Sequence, residues 1–324
     1  MRRLTPPESM GDPVRCPRHS SSGHRTDAGA ETSIKKDMDI PGRTAAAGFS
    51  LILGTFGRTV ELAEYLASLE AQTYKNFELI VVDQNPDNRL APVLAPYENK
   101  FELLHLRSAK GLSRANNLGL EHASREIIGF PDDDCRYPLD LLAKVAGFLA
   151  EHPKLDGLCG GSVDENGKES NGHYDPDPGP ISKSNIWRRS VQYSVFLYAD
   201  SSRGVRFDES LGPGSGTPCW AGDETDYLLQ LLERGAALYY DPTLVVVHPD
   251  PTTHYDESAM RRSYHYGRAM GYLLRKHRYP LFFTTRMLIY HPLRNAALAL
   301  LRGRSAEARF LWNASKGRLR GWLP

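Results

Sequence analysis

Residues 126–135, with the sequence EIIGFPDDDC, join an apolar segment of strand character to three consecutive carboxylates. Buried carboxylates are costly without a partner cation or donors, so Asp132, Asp133 and Asp134 are unsuited to a hydrophobic core. Alternate side chains of an extended segment point the same way, which would put Asp132 and Asp134 on one side. Such oxygen ligands suit Mg²⁺ or Mn²⁺, especially an ion that carries phosphates. The alternative is a solvated acidic turn.

Two other predicted strands end in residues that would share an edge with this stretch. Residues 49–53 form an apolar strand that breaks at residues 54–58, and residues 77–82 form another that ends at Asp83. A helix predicted between them implies parallel pairing with a right-handed crossover. Ligands of such sheets bind outside the carboxyl ends of the strands, which favours a functional role for the acidic run. Asp83 could accept from a nucleobase or a ribose, or could cap a turn.

Later segments contribute further candidates. Arg114 lies at the start of a predicted helix, where phosphate or sugar could bind. Residues 212–216 form a glycine-rich loop, which would let the backbone approach a ligand closely. The acidic residues 223–226 open another helix, where a carboxylate could act as a general base or only complement the helix dipole. His248 follows an apolar strand and could be a metal ligand or a hydrogen-bonded surface residue.

In this order, these motifs resemble those of the family 2 glycosyltransferases, which have a GT-A nucleotide-sugar-binding fold. The similarity covers roughly residues 49–250, and more loosely extends to residue 280. It is carried by five segments: LILGTFGR (51–58), LIVVD (79–83), GLSRANN (111–117), PDDD (131–134) and GDETD (222–226). The first motif has Gly-Thr-Phe where family members often have Thr-Tyr-Asn.

The resemblance implies roles for individual residues. A nucleotide sugar would be bound by Thr55, Phe56, Arg58, Asp83, Arg114, Asn117, Asp132 and Asp133. Mn²⁺ or Mg²⁺ would be held by Asp134, Asp132 and His248. The acceptor loop would include Gly214, Gly216 and Trp220. The family usually has Glu-Asp where this chain has Asp223-Glu224, so the base position falls on Glu224, with Asp223 as the alternative.

The expected fold class is α/β, with a mixed, mainly parallel GT-A (Rossmann-like) sheet flanked by helices and a helical C-terminal extension. Residues 1–48 are rich in polar residues, Pro and Gly, and predict a disordered N-terminal extension. Residues 49–257 would form the catalytic domain. Residues 258–324 would form a basic, aromatic helical region that either caps this domain or lies in an anionic membrane interface.

The predicted function is an inverting, metal-dependent transfer of a sugar from a UDP-, GDP- or dTDP-sugar to a hydroxyl of a glycan or lipid-linked acceptor, in cell-envelope or polysaccharide assembly. A non-catalytic GT-A-like binding protein and a nucleotidyltransferase are the alternatives. The net charge of +1 does not indicate a particular class of partner, and no motif indicates nucleic-acid binding. No secretory signal or membrane-spanning run is visible, which predicts a cytoplasmic protein, with contact at the inner face of the cell membrane as a further hypothesis.

Overall fold

The computed structural model describes residues 43–250 and 254–323, and its centre is an eight-stranded sheet of order β3-β2-β1-β4-β7-β5-β8-β6. Its strands are β1 (Phe49–Thr55), β2 (Phe77–Asp83), β3 (Glu102–Arg107), β4 (Ile127–Gly129), β5 (Gly157–Val163), β6 (Gly179–Pro180), β7 (Val195–Tyr198) and β8 (Leu238–Val247). Strands β1 to β4 pair in parallel, as do β5 and β8, whereas β7 is antiparallel to β4 and β5 and β6 is antiparallel to β8. The mixed, mainly parallel α/β sheet confirms the predicted fold class.

Helices cover both faces of the sheet. They are α1 (Val60–Glu70), α2 (Ala91–Leu94), α3 (Leu112–His122), α4 (Leu141–Glu151), α5 (Asp223–Glu233), α6 (Glu257–Lys276), α7 (Leu281–Thr285), α8 (His291–Leu301) and α9 (Ser305–Trp322). Because successive strand side chains point to opposite faces, Leu51 and Leu53 pack with α1 and α4, whereas Ile52 packs with α3 and α5. Apolar burial on both faces explains why β1 and β2 are near-continuous apolar runs.

Strand register places the acidic run at the edge of the sheet. Thr55 at the end of β1 pairs with Asp83 at the end of β2. Strand β4 stops when Gly129 has paired with Leu51, four residues before the end of β1. The chain after β4 therefore runs along the remaining length of β1 and brings the three aspartates towards Thr55.

Packing begins before the predicted start of the catalytic domain. The Arg43 guanidinium donates to the Asp156 carboxylate at 2.9 Å and to the Leu155 carbonyl at 2.6 Å, and Ala47 is buried. Residues 43–48 thus belong to the packed domain, because they close over the amino end of the sheet. The remainder of the predicted disordered extension, residues 1–42, lies outside the described residues.

The C-terminal region is integrated into the rest of the fold. Tyr272 and Leu273 of α6 pack against Leu211 and Cys219, which lie between β7 and β8 in sequence. Helix α7, a π-helical turn (Arg286–Tyr290) and α8 form one continuous helical segment, residues 281–301. Within residues 43–250 and 254–323, no helix has the length and apolar character needed to cross a bilayer.

Helices α6 and α9 approach each other through glycines. A side chain on Gly271 would lie 1.9 Å from the Arg318 carbonyl oxygen, and one on Gly321 would lie 1.9 Å from the Arg268 carbonyl oxygen. One turn earlier in both helices, Gly267 lies against the Ala314 carbonyl oxygen and Gly317 against the Tyr264 carbonyl oxygen, so α6 and α9 run in parallel. Close backbone approach of this kind requires the absence of a Cβ atom.

We expect Gly271→Ala to lower the free energy of unfolding by about 2 to 3 kcal/mol, because the new methyl group overpacks the contact between α6 and α9. Gly147→Ala in α4 is the matched control, since a Cβ there meets no atom within 4 Å. That change should stabilise the protein by up to about 1 kcal/mol through helix propensity. Chemical denaturation followed by circular dichroism measures both, and equal effects would disprove the close α6–α9 packing.

Candidate active site

A cavity of about 410 Å³ opens at the carboxyl edge of β1 and β4. Its lining comprises Gly54, Phe56, Arg58, Gln84, Lys110, Leu112, Asp132, Asp133, Asp134, Asn171, Pro213, Gly214, His248, Arg262 and Tyr266. The structure therefore brings seven of the predicted site residues together, including all three aspartates and His248. A cavity of about 550 Å³ near Phe77 and Glu102 contains none of the predicted residues.

Asp132, Asp134 and His248 form a group whose ligand atoms lie within 4.8 Å of one another. The His248 Nε2 atom lies 3.0 Å from Asp134 Oδ1 and 3.9 Å from Asp132 Oδ2. His248 Nδ1 lies 2.7 Å from the Pro249 carbonyl oxygen, which can only accept. We assign the proton to Nδ1 on this geometry, which leaves the Nε2 lone pair facing the carboxylates.

The Asp132–Asp134–His248 group fits a divalent cation. Asp134 Oδ1 is a buried oxygen without a hydrogen bond, so either a second proton on His248 Nε2 or a cation is needed between the two atoms. The His248 ring also stacks on Tyr193 with a centroid distance of 4.5 Å, which fixes its orientation. One imidazole nitrogen with two carboxylates is a donor set that suits Mn²⁺ or Mg²⁺.

Electrostatics at this group also indicate a demand for positive charge. Burial raises the pKa of Asp132 to about 7, against the lowering influence of His248. Burial likewise raises the pKa of Asp133. Burial acts in the same direction on Asp134, but its contacts with His248 and Arg58 outweigh it and hold its pKa below the ordinary value. A bound cation would offset the cost of keeping these carboxylates ionised.

Asp133 points away from this group and anchors the loop to the end of β1. Its carboxylate accepts from Thr55 Oγ1 at 2.6 Å and from Arg58 Nη1 at 2.5 Å. The other terminal nitrogen of Arg58 lies 2.8 Å from Asp134 Oδ2. Thr55, predicted to bind a nucleotide, is buried and instead holds the acidic loop in place.

We expect Thr55→Val to lower the free energy of unfolding by about 2 kcal/mol, because the Asp133 carboxylate loses a buried hydrogen bond. Thr59→Val is the matched control, since Thr59 precedes α1 without forming a side-chain cap. The control should change stability by less than about 0.5 kcal/mol. Urea denaturation of both variants makes the comparison, and similar losses would show that the Thr55–Asp133 bond contributes nothing specific.

Asp83 lies at the predicted sheet edge but is fully buried. Its Oδ1 atom accepts from the backbone and side-chain nitrogens of Asn85, both at 2.8 Å. Its Oδ2 atom lies 2.9 Å from Arg107 Nη1 and 3.1 Å from His105 Nε2. The neighbouring Gln84 lines the cavity instead, so Asp83 acts here as a support for the loop after β2.

Three other predicted residues make contacts outside the cavity lining. Arg114 pairs with Glu209 at 2.9 Å on the surface. The Asn117 amide donates to the Phe207 carbonyl at 3.0 Å and accepts from its N–H at 2.8 Å, which ties α3 to the loop before α5. Trp220 stacks on His265 at 3.8 Å. The structure does not bring these three side chains into the lining of the cavity.

The glycine loop joins the cavity to the acidic pair. Gly214 lines the cavity at φ +77°, a conformation that favours glycine. Gly216 has a similar φ of +76° and open space where a side chain would stand. Gly212 adjoins Asp223, whose carboxyl carbon would lie 2.8 Å from a Cβ at position 212. The loop therefore packs directly on the first residue of α5.

Asp223 and Glu224 differ in exposure. Asp223 is buried, and its Oδ2 atom has no hydrogen-bond partner. Glu224 is half-buried and accepts from Thr225 Oγ1 at 3.0 Å. Burial raises the pKa of both carboxyls, and the charge of Glu224 raises that of Asp223 further. Asp132 adds to the raised pKa of Asp223, so the acidic pair and the metal-binding group lie within electrostatic reach.

Helix α6 contributes two residues that sequence reasoning did not assign to the site. Arg262 and Tyr266 are one helical turn apart and both line the cavity. Besides burial, the charges of Asp223, Asp132 and Glu224 raise the pKa of Tyr266, so this ring lies near both acidic groups. The basic, aromatic composition of residues 258–280 was the available signal, but it did not indicate which residues face the cavity.

Sequence reasoning does not assign Lys110 to the site, because this residue lies just before the GLSRANN motif. Its ammonium group lies 4.1 Å from the centre of the Phe56 ring, at the cavity wall. Arg58, Lys110 and Arg262 thus place three cations around a cavity that also holds three aspartates. Such a site suits a ligand that brings both phosphate groups and a metal ion.

The chain is similar in sequence and in fold to known proteins. Residues 50–208 match Glycosyl transferase family 2. A hyaluronan synthase of Pasteurella multocida is 36% identical over 104 residues, which are 31% of this chain and 11% of that relative. A PGL/p-HBAD biosynthesis glycosyltransferase of Mycobacterium bovis is 32% identical over 120 residues, 36% of this chain and 47% of the relative. A UDP-Glc:alpha-D-GlcNAc-diphosphoundecaprenol beta-1,3-glucosyltransferase of Escherichia coli is 34% identical over 86 residues, 26% of this chain and 34% of the relative.

The matched segments span less than half the length of each of these relatives. Among solved structures, a mannosyltransferase of Pyrobaculum calidifontis in complex with GDP-Man and Mn²⁺ is similar with a TM-score of 0.62 and 19% identity. This likeness covers 88% of this chain and 91% of that protein, and it supports the GT-A fold. Through residues 50–208, the chain belongs to glycosyl transferase family 2.

Proposed function

We propose that this protein is an inverting, metal-dependent glycosyltransferase that moves a sugar from a nucleotide-sugar donor to a hydroxyl acceptor. The observation that carries the proposal is the Asp132–Asp134–His248 group in a cavity surrounded by cations and close to a second acidic pair. A nucleotide sugar has the complementary chemistry, since its diphosphate needs positive charge and its anomeric carbon needs an activated nucleophile.

In this proposal, Asp134, Asp132 and His248 hold Mn²⁺ or Mg²⁺, which when bound neutralises charge on the diphosphate. Lys110 and Arg262 bind the phosphate oxygens from the cavity wall, and Arg58 keeps Asp133 and Asp134 in place. Tyr266, which lines the cavity near both acidic groups, orients the sugar.

The acceptor hydroxyl is deprotonated by Glu224, the more accessible member of the acidic pair. The oxygen of the acceptor forms a bond to the anomeric carbon on the face opposite the departing nucleoside diphosphate. The bond between the anomeric carbon and the donor phosphate oxygen breaks, and its electron pair leaves with the nucleoside diphosphate. The proton of the acceptor stays on the Glu224 carboxyl group. This single displacement inverts the anomeric configuration.

The proposed acceptor is a glycan or a lipid-linked sugar in cell-envelope or polysaccharide assembly. The names of the relatives support it, since one makes hyaluronan and another is named for a diphosphoundecaprenol-linked substrate. The donor is a UDP-, GDP- or dTDP-sugar. We also propose that the protein lies in the cytoplasm and contacts the inner face of the cell membrane, where such acceptors are found.

Calorimetric titration of UDP, GDP and dTDP with and without Mn²⁺, followed by a hydrolysis screen over nucleotide sugars, tests the proposal. We expect one nucleoside diphosphate to bind at least about tenfold more tightly with Mn²⁺, and its sugar conjugate to be hydrolysed slowly. Tight binding without turnover of donor on any acceptor would instead identify a non-catalytic binding protein. Release of pyrophosphate from a nucleoside triphosphate would identify a nucleotidyltransferase.

A further inference from the structure

The helical segment 281–301 leaves one apolar face uncovered by the described part of the chain. Its exposed large apolar residues are Leu281, Phe282, Ile289, Tyr290, Leu293, Leu300 and Leu301. Phe282 is 82% exposed and Leu301 is 83% exposed, which is unusual for large apolar side chains. We call this set the apolar face.

The opposite side of the same segment is firmly packed. Its buried residues recur every three or four positions, at Thr284, Leu288, Pro292, Ala296 and Ala299. The Leu288 carbonyl accepts from Ser315 Oγ at 3.3 Å, and the Met287 carbonyl accepts from Arg318 at 2.7 Å, both residues of α9. The segment is thus held by α9, so exposure of its outer side is a property of the folded protein.

The charge of this region is strongly one-sided. Fourteen of the forty Lys and Arg residues lie in residues 258–324, together with only one of the thirty-nine Asp and Glu residues, Glu307. Segment 281–301 contains Arg286 and Arg294, both exposed beside the apolar face, and no acidic residue. In a protein of net charge +1, the region that carries the apolar face therefore has a large excess of basic residues.

We propose that the apolar face docks the protein on the surface of a bilayer that contains anionic lipids. Apolar side chains would enter the boundary between headgroups and acyl chains, while Arg286 and Arg294 would remain at headgroup level. The interrupting arginines suit a helix that lies in the membrane plane. A second copy of this chain fits less well, because a symmetric contact would bring two strongly basic regions together.

Docking at this face would place the membrane two helices away from the donor cavity. Segment 281–301 packs on α9, α9 packs closely on α6, and α6 carries Arg262 and Tyr266 to the cavity. The inference rests on the proposed function only in giving the docking a purpose, namely access to a lipid-linked acceptor. Lipid binding itself can be measured whether or not the protein transfers a sugar.

Cosedimentation with sucrose-loaded vesicles tests the inference directly. The intact protein should bind phosphatidylcholine vesicles containing phosphatidylglycerol at least about tenfold more tightly than pure phosphatidylcholine, and less tightly as salt rises. A Phe282→Ser/Leu300→Ser/Leu301→Ser variant should lose at least about tenfold in binding to the mixed vesicles. Leu104→Ser/Leu139→Ser, which changes two exposed leucines of the catalytic domain, should bind as the unchanged protein does.

A charge variant separates the apolar contribution to vesicle binding from the electrostatic one. Arg286→Glu/Arg294→Glu should lose most of the preference for phosphatidylglycerol, whereas the control Lys168→Glu/Arg203→Glu, at exposed positions of the catalytic domain, should keep most of it. Circular dichroism and donor hydrolysis in solution should be the same for all variants, which separates this test from one of the proposed function. Equal vesicle binding by all variants would overturn the inference. So would tighter binding to an oligonucleotide than to vesicles, or dimerisation that is lost in the serine triple variant without any vesicle binding.

Discussion

Replacing Asp134 with alanine should lower kcat/KM for sugar transfer by about a thousandfold. Asp134 is the member of the metal-binding group that lies closest to His248, and it is also held by Arg58. Its removal would take away both a metal ligand and one of the two carboxylates that hold the Arg58 side chain. Calorimetric titration with Mn²⁺ should show a matching loss of metal affinity, since two ligands remain from a set of three.

Asp140→Ala is the matched control for this prediction. Asp140 lies six residues further along the same connection, is exposed in its side chain, and pairs with Lys144 at 2.9 Å. Its loss should change activity less than about twofold, because an exposed ion pair contributes little. If Asp134→Ala retained more than a tenth of the activity, or bound Mn²⁺ unchanged, the assignment of the metal site would be wrong.

The sequence was sufficient to predict which strand ends would lie at the same edge of the sheet. Apolar runs ending at Thr55, Asp83 and Asp132 define parallel strands, and parallel strands share a carboxyl edge. Alternation of side chains also predicted that Asp132 and Asp134 would share a side, although residues 133–134 form a turn in the structure. The opposite direction of Asp133 gives it a separate role, as the anchor to Thr55 and Arg58.

Residues whose roles depend on distant packing could not be assigned in this way. Asn117 and Arg114 lie in the expected helix, but tertiary contacts direct them to Phe207 and Glu209, outside the cavity lining. The contribution of Arg262 and Tyr266 depends on how α6 folds back over the sheet, which is set by close contact with α9. No local pattern encodes that contact, because its glycines at positions 271 and 321 are fifty residues apart in the chain.

Glu224→Gln should lower kcat by about 10² to 10⁴, with little change in donor affinity, because an amide cannot accept the proton of the acceptor hydroxyl. The residue lies outside the metal-binding group, so Mn²⁺ and nucleotide should still bind. Single-turnover kinetics with saturating donor, together with calorimetry, separates the two effects. Glu61→Gln is the matched control, since Glu61 occupies the same second position of α1 and is exposed.

The dependence of kcat on pH provides the sharper test of which carboxyl is the base. Burial raises the pKa of Glu224, so the base should become protonated, and kcat should fall, as the pH drops through a value above the ordinary glutamate range. The residual activity of Glu224→Gln should lack this acidic limb of the pH profile, whereas Glu224→Asp should keep the limb at a lower rate. Asp223→Asn should keep the limb near the same pH, because burial and the Glu224 charge raise the pKa of Asp223, which is then already neutral when Glu224 takes up its proton. If Asp223→Asn abolished the limb and Glu224→Gln did not, the base would be Asp223, and the swapped order of the pair would leave the catalytic carboxylate at the first position, beneath Gly212.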